Sequence, residues 1–131
     1  YTLETLTLMC RVREQLVEQT MYSNVIRIVE RSVYSGYYCF AQNGYEHGFL
    51  TAGEWQMYQE WFSFLNQRIQ LPKGFIYLRI TPDRAFERIK KRQRSAEDSL
   101  TLSYLTHIHD RHEAFLLQHA GVSPSIQSVP V

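Results

Sequence analysis

Apolar positions along this chain follow a helical period in some stretches and a short β-like run in others. Over residues 2–18, Leu6, Met9, Val12 and Leu16 recur every three or four positions with Arg11, Arg13 and Glu14 between them, which predicts an amphipathic helix. Tyr22-Ser23-Asn24 interrupts it. Val25, Ile26, Ile28 and Val29 then make a β-branched run too short for a helix and apolar enough for a buried parallel strand. A second helix is expected from about Ser35 to a turn between Gly44 and Gly48. Thr51-Ala52-Gly53-Glu54 reads as a capping box for a third helix, in which Trp55, Tyr58, Phe62, Leu65 and Ile69 form a core stripe.

Pro72-Lys73-Gly74 ends that helix, and residues 75–80, Phe-Ile-Tyr-Leu-Arg-Ile, read as a second buried strand. Thr81, Pro82 and Asp83 supply cap, first-turn proline and first-turn acid for another helix. The last helix is expected over residues 100–119 with Leu102, Leu105, Ile108, Phe115 and Leu116 inward, before Val129-Pro130-Val131 begins a further strand. Strand, capped helix and strand in that order imply parallel crossovers and an α/β fold. There is no internal repeat and no low-complexity tract.

Length and composition narrow the function classes. A chain of 131 residues with 44% hydrophobic and 14% aromatic content suffices for one packed domain. A net charge of +1 creates no field for nucleic acid or a membrane surface, and no apolar stretch approaches a membrane-spanning helix. Cys10 and Cys39 lack CxxC spacing, so both read as small core residues in a reducing compartment rather than a disulfide or zinc site. The text opens at Tyr1 inside a helical pattern and stops inside an apparent strand, and it shows neither an initiator methionine nor a targeting segment. A fragment of a longer protein is therefore expected.

Candidate chemistry concentrates in two places. Glu30 and Arg31 leave the end of the first predicted strand, where open α/β sheets bind ligands; the competing reading is an ion pair that fixes the strand end. Arg88 and Arg92 share a helix face, and Arg94 follows where Ser95-Ala96-Glu97-Asp98 should loosen the helix. Guanidiniums so placed suit phosphoryl transfer, although composition alone favours a solvated basic edge paired with Glu87, Glu97 and Asp98. His109 and His112 share a face without a carboxylate or cysteine to complete a metal site, and His107 lies apart, so they read as packing residues.

The ordered series Glu30-Arg-Ser-Val-Tyr-Ser-Gly36-Tyr-Tyr-Cys-Phe40-Ala-Gln-Asn43, Glu54-Trp55, Tyr58-Gln59-Glu60-Trp61 and Ser63-Phe64-Leu65 resembles the deoxynucleoside kinase family. So does the later series Tyr77-Leu-Arg-Ile-Thr-Pro-Asp83, Arg88, Arg92-Gln93-Arg94, Glu97, Leu102-Ser-Tyr-Leu105, His109 and His112-Glu113. The resemblance spans nearly the whole chain. It implies a three-layer P-loop kinase-like α/β fold with a parallel sheet, of which residues 1–131 are the central and C-terminal part, with a lid over residues 88–98. It also implies transfer of a phosphoryl group from ATP to the 5′-hydroxyl of a deoxynucleoside, with Mg2+, in an intracellular homodimer of the mitochondrion or cytosol. The helix carrying Trp55 to Ile69 is the candidate dimer surface.

Carried over by position, the resemblance implies that Arg88 contacts the donor base and that Arg92 and Arg94 hold its phosphates. Glu97 binds the 3′-hydroxyl, Glu30 works beside the metal or assists deprotonation, Arg31 orients the 5′-hydroxyl, and Phe40 stacks on the substrate base. Base selection departs from the family. Glu4 stands where a base-reading glutamine is expected, Gly36 where relatives carry aspartate or alanine, and Tyr37 where they carry arginine, while Arg11 matches the deoxycytidine and deoxyguanosine kinases. Arg11 either turns away or pairs with Glu4.

No G-x-x-x-x-G-K-[ST] phosphate loop and no early Glu-Pro carboxylate occur, so the 131-residue chain alone is expected to be inactive. A non-catalytic subunit that keeps the kinase fold, as in a respiratory-chain subunit of the same superfamily, is the competing class; its mark would be loss of the arginine and Glu-Arg-Ser motifs. A nucleoside monophosphate kinase would need a basic clamp for the substrate phosphate, whereas Phe40 and Glu97 suit an uncharged nucleoside better.

Overall fold

The computed structural model describes residues 1–22, 24–118 and the backbone of 127–130. These fall into two compact units, Tyr1–Pro72 and Lys73–Val131.

The first unit begins with helix α1 (Thr2–Met21), whose buried positions are Leu8 and Val12. The helix is as the spacing predicts, but its phase is not. Leu6 and Met9 are exposed, and the inward face carries Glu4, Leu8, Arg11 and Val12 instead. The apolar stripe misled because two charged residues occupy the inward side, which a hydrophobic count assigns to solvent. Glutamines finish the packing of this helix: Gln15 Nε2 donates to the Gln70 carbonyl at 2.9 Å, and the Gln70 N–H donates to Gln19 Oε1 at 2.6 Å.

The run Val25–Val29 is not a strand, and it is not buried; Ile26 is 96% and Ile28 83% exposed. A parallel strand buries both faces only between neighbouring strands, and no strand among the described residues pairs with this run. Arg27 Nη1 in this run donates to Glu18 Oε2 at 2.9 Å.

Ser32 turns the chain into a helix, its Oγ accepting the Ser35 N–H at 3.2 Å. The predicted second helix is made of α2 (Val33–Ser35), a π-helical turn (Gly36–Ala41) and α3 (Gln42–Glu46). Such π turns cluster at functional sites, and Gly36, Phe40 and Cys39 all lie in this one. Gly48, at φ 75°, provides the left-handed turn that follows.

The capping box forms as expected. The Thr51 N–H donates to Glu54 Oε2 at 2.8 Å and the Glu54 N–H to Thr51 Oγ1 at 3.3 Å, opening α4 (Ala52–Asn66). Tyr58, Phe62 and Ile69 are buried as the stripe predicts.

In the second unit, β1 (Gly74–Tyr77) pairs in parallel with β2 (Gln127–Pro130), Gly74 opposite Gln127 and Tyr77 opposite Pro130. The parallel pairing is as expected, and Val131 lies outside the described residues. The strand is shorter and less buried than predicted: it stops at Tyr77, and Ile76 and Leu78 are exposed. With one partner strand, only the face bearing Phe75 and Tyr77 is covered, Phe75 packing edge-on against Phe115 at 5.4 Å.

Helix α5 (Pro82–Arg92) starts with Pro82 in its first turn, but the Thr81 side chain makes no cap bond. Helix α6 (Leu102–Leu116) buries Phe115 and Leu116, while Leu102, expected inward, is exposed in its first turn. Residues 119–126 of the predicted last helix and its sequel lie outside the described residues. His112 stacks on Tyr77 at 6.1 Å, as a packing residue should.

Candidate active site

The Glu30-Arg31-Ser32 turn is shaped by an unusual backbone. Arg31 has φ 58°, a left-handed conformation that costs a residue with a Cβ about 1–2 kcal/mol and persists only where the surroundings demand it. It follows the Val25–Val29 run and immediately precedes the Ser32 cap. The result carries the Arg31 guanidinium over the Phe40 ring, 4.9 Å from its centroid. Two candidate residues nine positions apart thus come together, and one face of Phe40 is already covered. Glu30 beside them is exposed.

A second group forms where α1, the π turn and α4 meet. Glu4 and Arg11 lie two turns apart on the inward face of α1, both half-buried. A Cβ on buried Gly36 would sit 3.4 Å from Arg11 Nη1 and 3.9 Å from the Tyr58 hydroxyl. Burial pushes the Glu4 carboxyl above its ordinary range, partly offset by the N-terminal amine and Arg11. Burial likewise pushes the Tyr58 phenol up, helped by the charge of Glu4 and opposed by that of Arg11. The expected coupling of Glu4 and Arg11 is therefore electrostatic; among the described residues, no hydrogen bond or ion pair joins them. Behind them lies an aromatic cluster: Tyr37 stacks on Phe62 at 4.1 Å and packs on Trp55 at 5.3 Å, and its hydroxyl accepts from Gln59 Nε2 at 3.2 Å.

In the second unit, Gln93 at φ 52° ends α5 with a left-handed cap and releases Arg94 into a short 3-10 turn (Ser95–Glu97). Arg92 grips Glu97 as a fork, Nη2 at 2.5 and 2.6 Å from the two carboxylate oxygens and Nε at 3.2 Å from one of them. Arg94 Nη1 stands 4.0 Å from the same carboxylate. Arg92, Arg94 and Glu97 are thus brought together, while Arg88 is exposed on α5. Sequence spacing signalled the arginines, and the competing reading paired them with acids that include Glu97; the fork on Arg92 is the particular pairing found.

The same unit holds a saturated carboxylate. Glu113 accepts from the Tyr77 hydroxyl at 2.8 Å and from Arg79 Nε and Nη2 at 3.0 and 2.7 Å. Its carboxyl is held below the ordinary range, chiefly by Arg79.

A family model described as deoxynucleoside kinase matches residues 1–131. The chain belongs to the deoxynucleoside kinase family. It is 42% identical over 126 residues to the mitochondrial deoxyguanosine kinase of Xenopus laevis, covering 88% of this chain and 46% of that protein. It is 38% identical over 125 residues to deoxycytidine kinase 2 of Gallus gallus, covering 90% and 47% respectively. With the deoxycytidine kinase of Homo sapiens it shares 34% identity over 142 residues, covering 100% of this chain and 54% of that protein. The chain spans about half the length of the curated relatives it matches.

Deoxynucleoside kinases imply a divalent metal, and the residues here fit a minimal share in holding one. Among the described residues no group of three His, Cys, Asp or Glu side chains could hold an ion alone. Exposed Glu30 offers a single carboxylate, which suits Mg2+ held mainly by phosphates and water. No described helix is long and apolar enough to cross a membrane.

Tyr58 is buried as the core stripe predicts, and what the stripe did not report is its hydroxyl beside Gly36. The available signal was its hydroxyl, since a tyrosine among phenylalanine and leucine positions needs a polar destination.

Proposed function

We propose that this chain is the central and C-terminal part, lid included, of a three-layer P-loop kinase that phosphorylates the 5′-hydroxyl of a deoxynucleoside with ATP. The observation that carries this reading is the family match over all 131 residues, which include both the Glu30-Arg31-Ser32 turn and the Arg88 to Glu97 lid.

In this reading Arg31 orients the acceptor hydroxyl from its fixed place over Phe40, and in-line attack proceeds on the γ-phosphate. Arg92 and Arg94 take the charge that develops on the transferring oxygens, and Arg88 meets the donor base. Arg92 must first exchange Glu97 for phosphate. An exposed ion pair is worth about 0–1 kcal/mol, so a polyphosphate displaces it readily. Glu97, once free, accepts from the 3′-hydroxyl. Mg2+ bound beside Glu30 would neutralise phosphate charge.

Exposed Met57, Trp61 and Phe64 on the outer face of α4 support a homodimer through that helix. The relatives support an intracellular setting, mitochondrial or cytosolic, one of them being named mitochondrial. The test is mass-spectrometric detection of deoxynucleoside 5′-monophosphate made from ATP. The full-length protein forms it and the 131-residue chain alone does not; product from the short chain, or none from the full-length protein, contradicts the reading.

A further inference from the structure

Ser95 sits in the middle of a charge pattern that phosphoryl transfer to a nucleoside does not explain. Lys90, Lys91, Arg92 and Arg94 stand five, four, three and one residues before it, and Glu97 and Asp98 follow by two and three. Of the serines and threonines in these 131 residues, Ser95 alone has a basic residue three positions before it. A protein kinase whose groove is lined with carboxylates selects its substrate by such an upstream run of cations.

The backbone around Ser95 is open to a second protein. Residues 90–96 are all exposed. Helix α5 ends at Arg92, Gln93 is left-handed, and Arg94 is extended at φ −85° and ψ 120°, so the regular helix stops before the serine is reached. The 3-10 turn that holds Ser95 is three residues long. Its bonds are the Glu97 N–H to the Arg94 carbonyl at 2.8 Å and the Asp98 N–H to the Ser95 carbonyl at 3.3 Å, so it opens at little cost.

We propose that Ser95 is a phosphorylation site for a protein kinase with an acidic substrate groove, and that its phosphate closes Arg92 and Arg94 against the donor nucleotide. The inference rests on the reading above, in which these arginines hold the donor phosphates, and it adds a regulation of that site. In the modification, Ser95 Oγ attacks the γ-phosphorus of ATP held by the protein kinase. The new P–O bond forms, the bridging bond to the β-phosphate breaks, ADP leaves and the hydroxyl proton passes to a base of the protein kinase. Before modification one carboxylate serves two guanidiniums, since Arg92 grips Glu97 and Arg94 Nη1 stands 4.0 Å from it. A phosphoserine brings a charge of about −1.5 to −2 and three strong acceptor oxygens. Tethered beside Arg94, it competes with ATP at an effective concentration on the order of millimolar. Glu97 is released and keeps its place for the 3′-hydroxyl, so the effect falls on ATP and not on the acceptor.

The test uses the full-length protein in two arms. In the first, the protein is incubated with ATP and the catalytic subunit of cAMP-dependent protein kinase, and tandem mass spectrometry locates the phosphate. Phosphate on Ser95, and none at that position in Ser95→Ala, is expected; an unmodified Ser95 overturns the site. In the second arm, phosphoserine is encoded in place of Ser95, and calorimetry and initial rates compare it with the unaltered protein. The Kd and KM for ATP rise about tenfold or more, deoxynucleoside affinity stays within about twofold, and added salt narrows the difference. ATP affinity unchanged within about twofold overturns the regulatory claim. Ser95→Ala keeps the basal kcat/KM within about twofold, because the side chain is exposed and holds no substrate. A full-length protein that binds ATP but phosphorylates no deoxynucleoside contradicts the proposed activity alone, since phosphate mapping and ATP calorimetry still report on Ser95. One that binds no ATP overturns both.

Discussion

In the unit Tyr1–Pro72, Glu4 and Arg11 share a helix face without closing on each other, and Arg31 rests on an aromatic ring rather than a carboxylate. In the unit Lys73–Val131 several described charges are closed on one another: Arg92 and Arg94 on Glu97, Arg79 on Glu113. The first arrangement is preorganised, since uncompensated groups fixed by helix packing meet a ligand without rearranging. The second is switchable, because exposed ion pairs exchange partners at little cost. Recognition of a neutral nucleoside calls for the former and capture of a polyphosphate for the latter.

The sharpest way to break this contrast is Arg31→Ala in the full-length protein. If the strained turn exists to hold a reacting group, kcat falls by roughly 100-fold or more while the thermal midpoint changes little, since alanine keeps the Cβ and its strain and the exposed ring contact is worth only about 0.5–1 kcal/mol. A lower midpoint with near-normal kcat would make the turn structural.

Arg92→Lys tests the switchable side. Lysine keeps the charge but loses the fork, so kcat drops roughly tenfold or more with stability within about 0.5 kcal/mol, as measured by initial rates and thermal unfolding.

Glu113→Gln probes the closed Arg79–Glu113 pair, which includes no candidate site residue. It weakens the Tyr77 hydroxyl bond, and hydrogen exchange at β1 and α6 should report a loss of about 1–2 kcal/mol. The pH dependence has a definite sign. The Glu113 carboxyl lies below its ordinary value of 4.5, so its contribution is fully present above that value and is lost as pH falls through the depressed folded value. Removing the cap with Thr51→Ala should cost α4 about 1 kcal/mol, visible as a lower unfolding midpoint without a change in base preference.

What the sequence disclosed followed from local rules. The Thr51–Glu54 box, the Pro82 start and the Tyr58–Phe62 stripe each depend on neighbours within one element, and each is present; Ile69 is buried as well, beyond the end of α4. Val25–Val29 was misread because burial of a parallel strand depends on other strands, which no local pattern reports. The phase of α1 was misread for the reason that gives it interest: polar residues on an inward face look like solvent residues until a partner surface is known. The Glu30-Arg31 and Arg88 to Glu97 motifs were legible as chemistry. The cation over Phe40, the left-handed Arg31 and the Arg92–Glu97 fork required coordinates.

The central claim is that an acceptor nucleoside meets a preorganised surface in the first unit. The most direct measurement is calorimetric binding of deoxynucleosides to the full-length protein without ATP, for the unaltered chain and for Arg92→Lys. Deoxynucleoside affinity unchanged within about twofold by Arg92→Lys, with ATP affinity reduced about tenfold, is the result expected. Loss of deoxynucleoside binding in Arg92→Lys, or no binding until ATP is added, would contradict it.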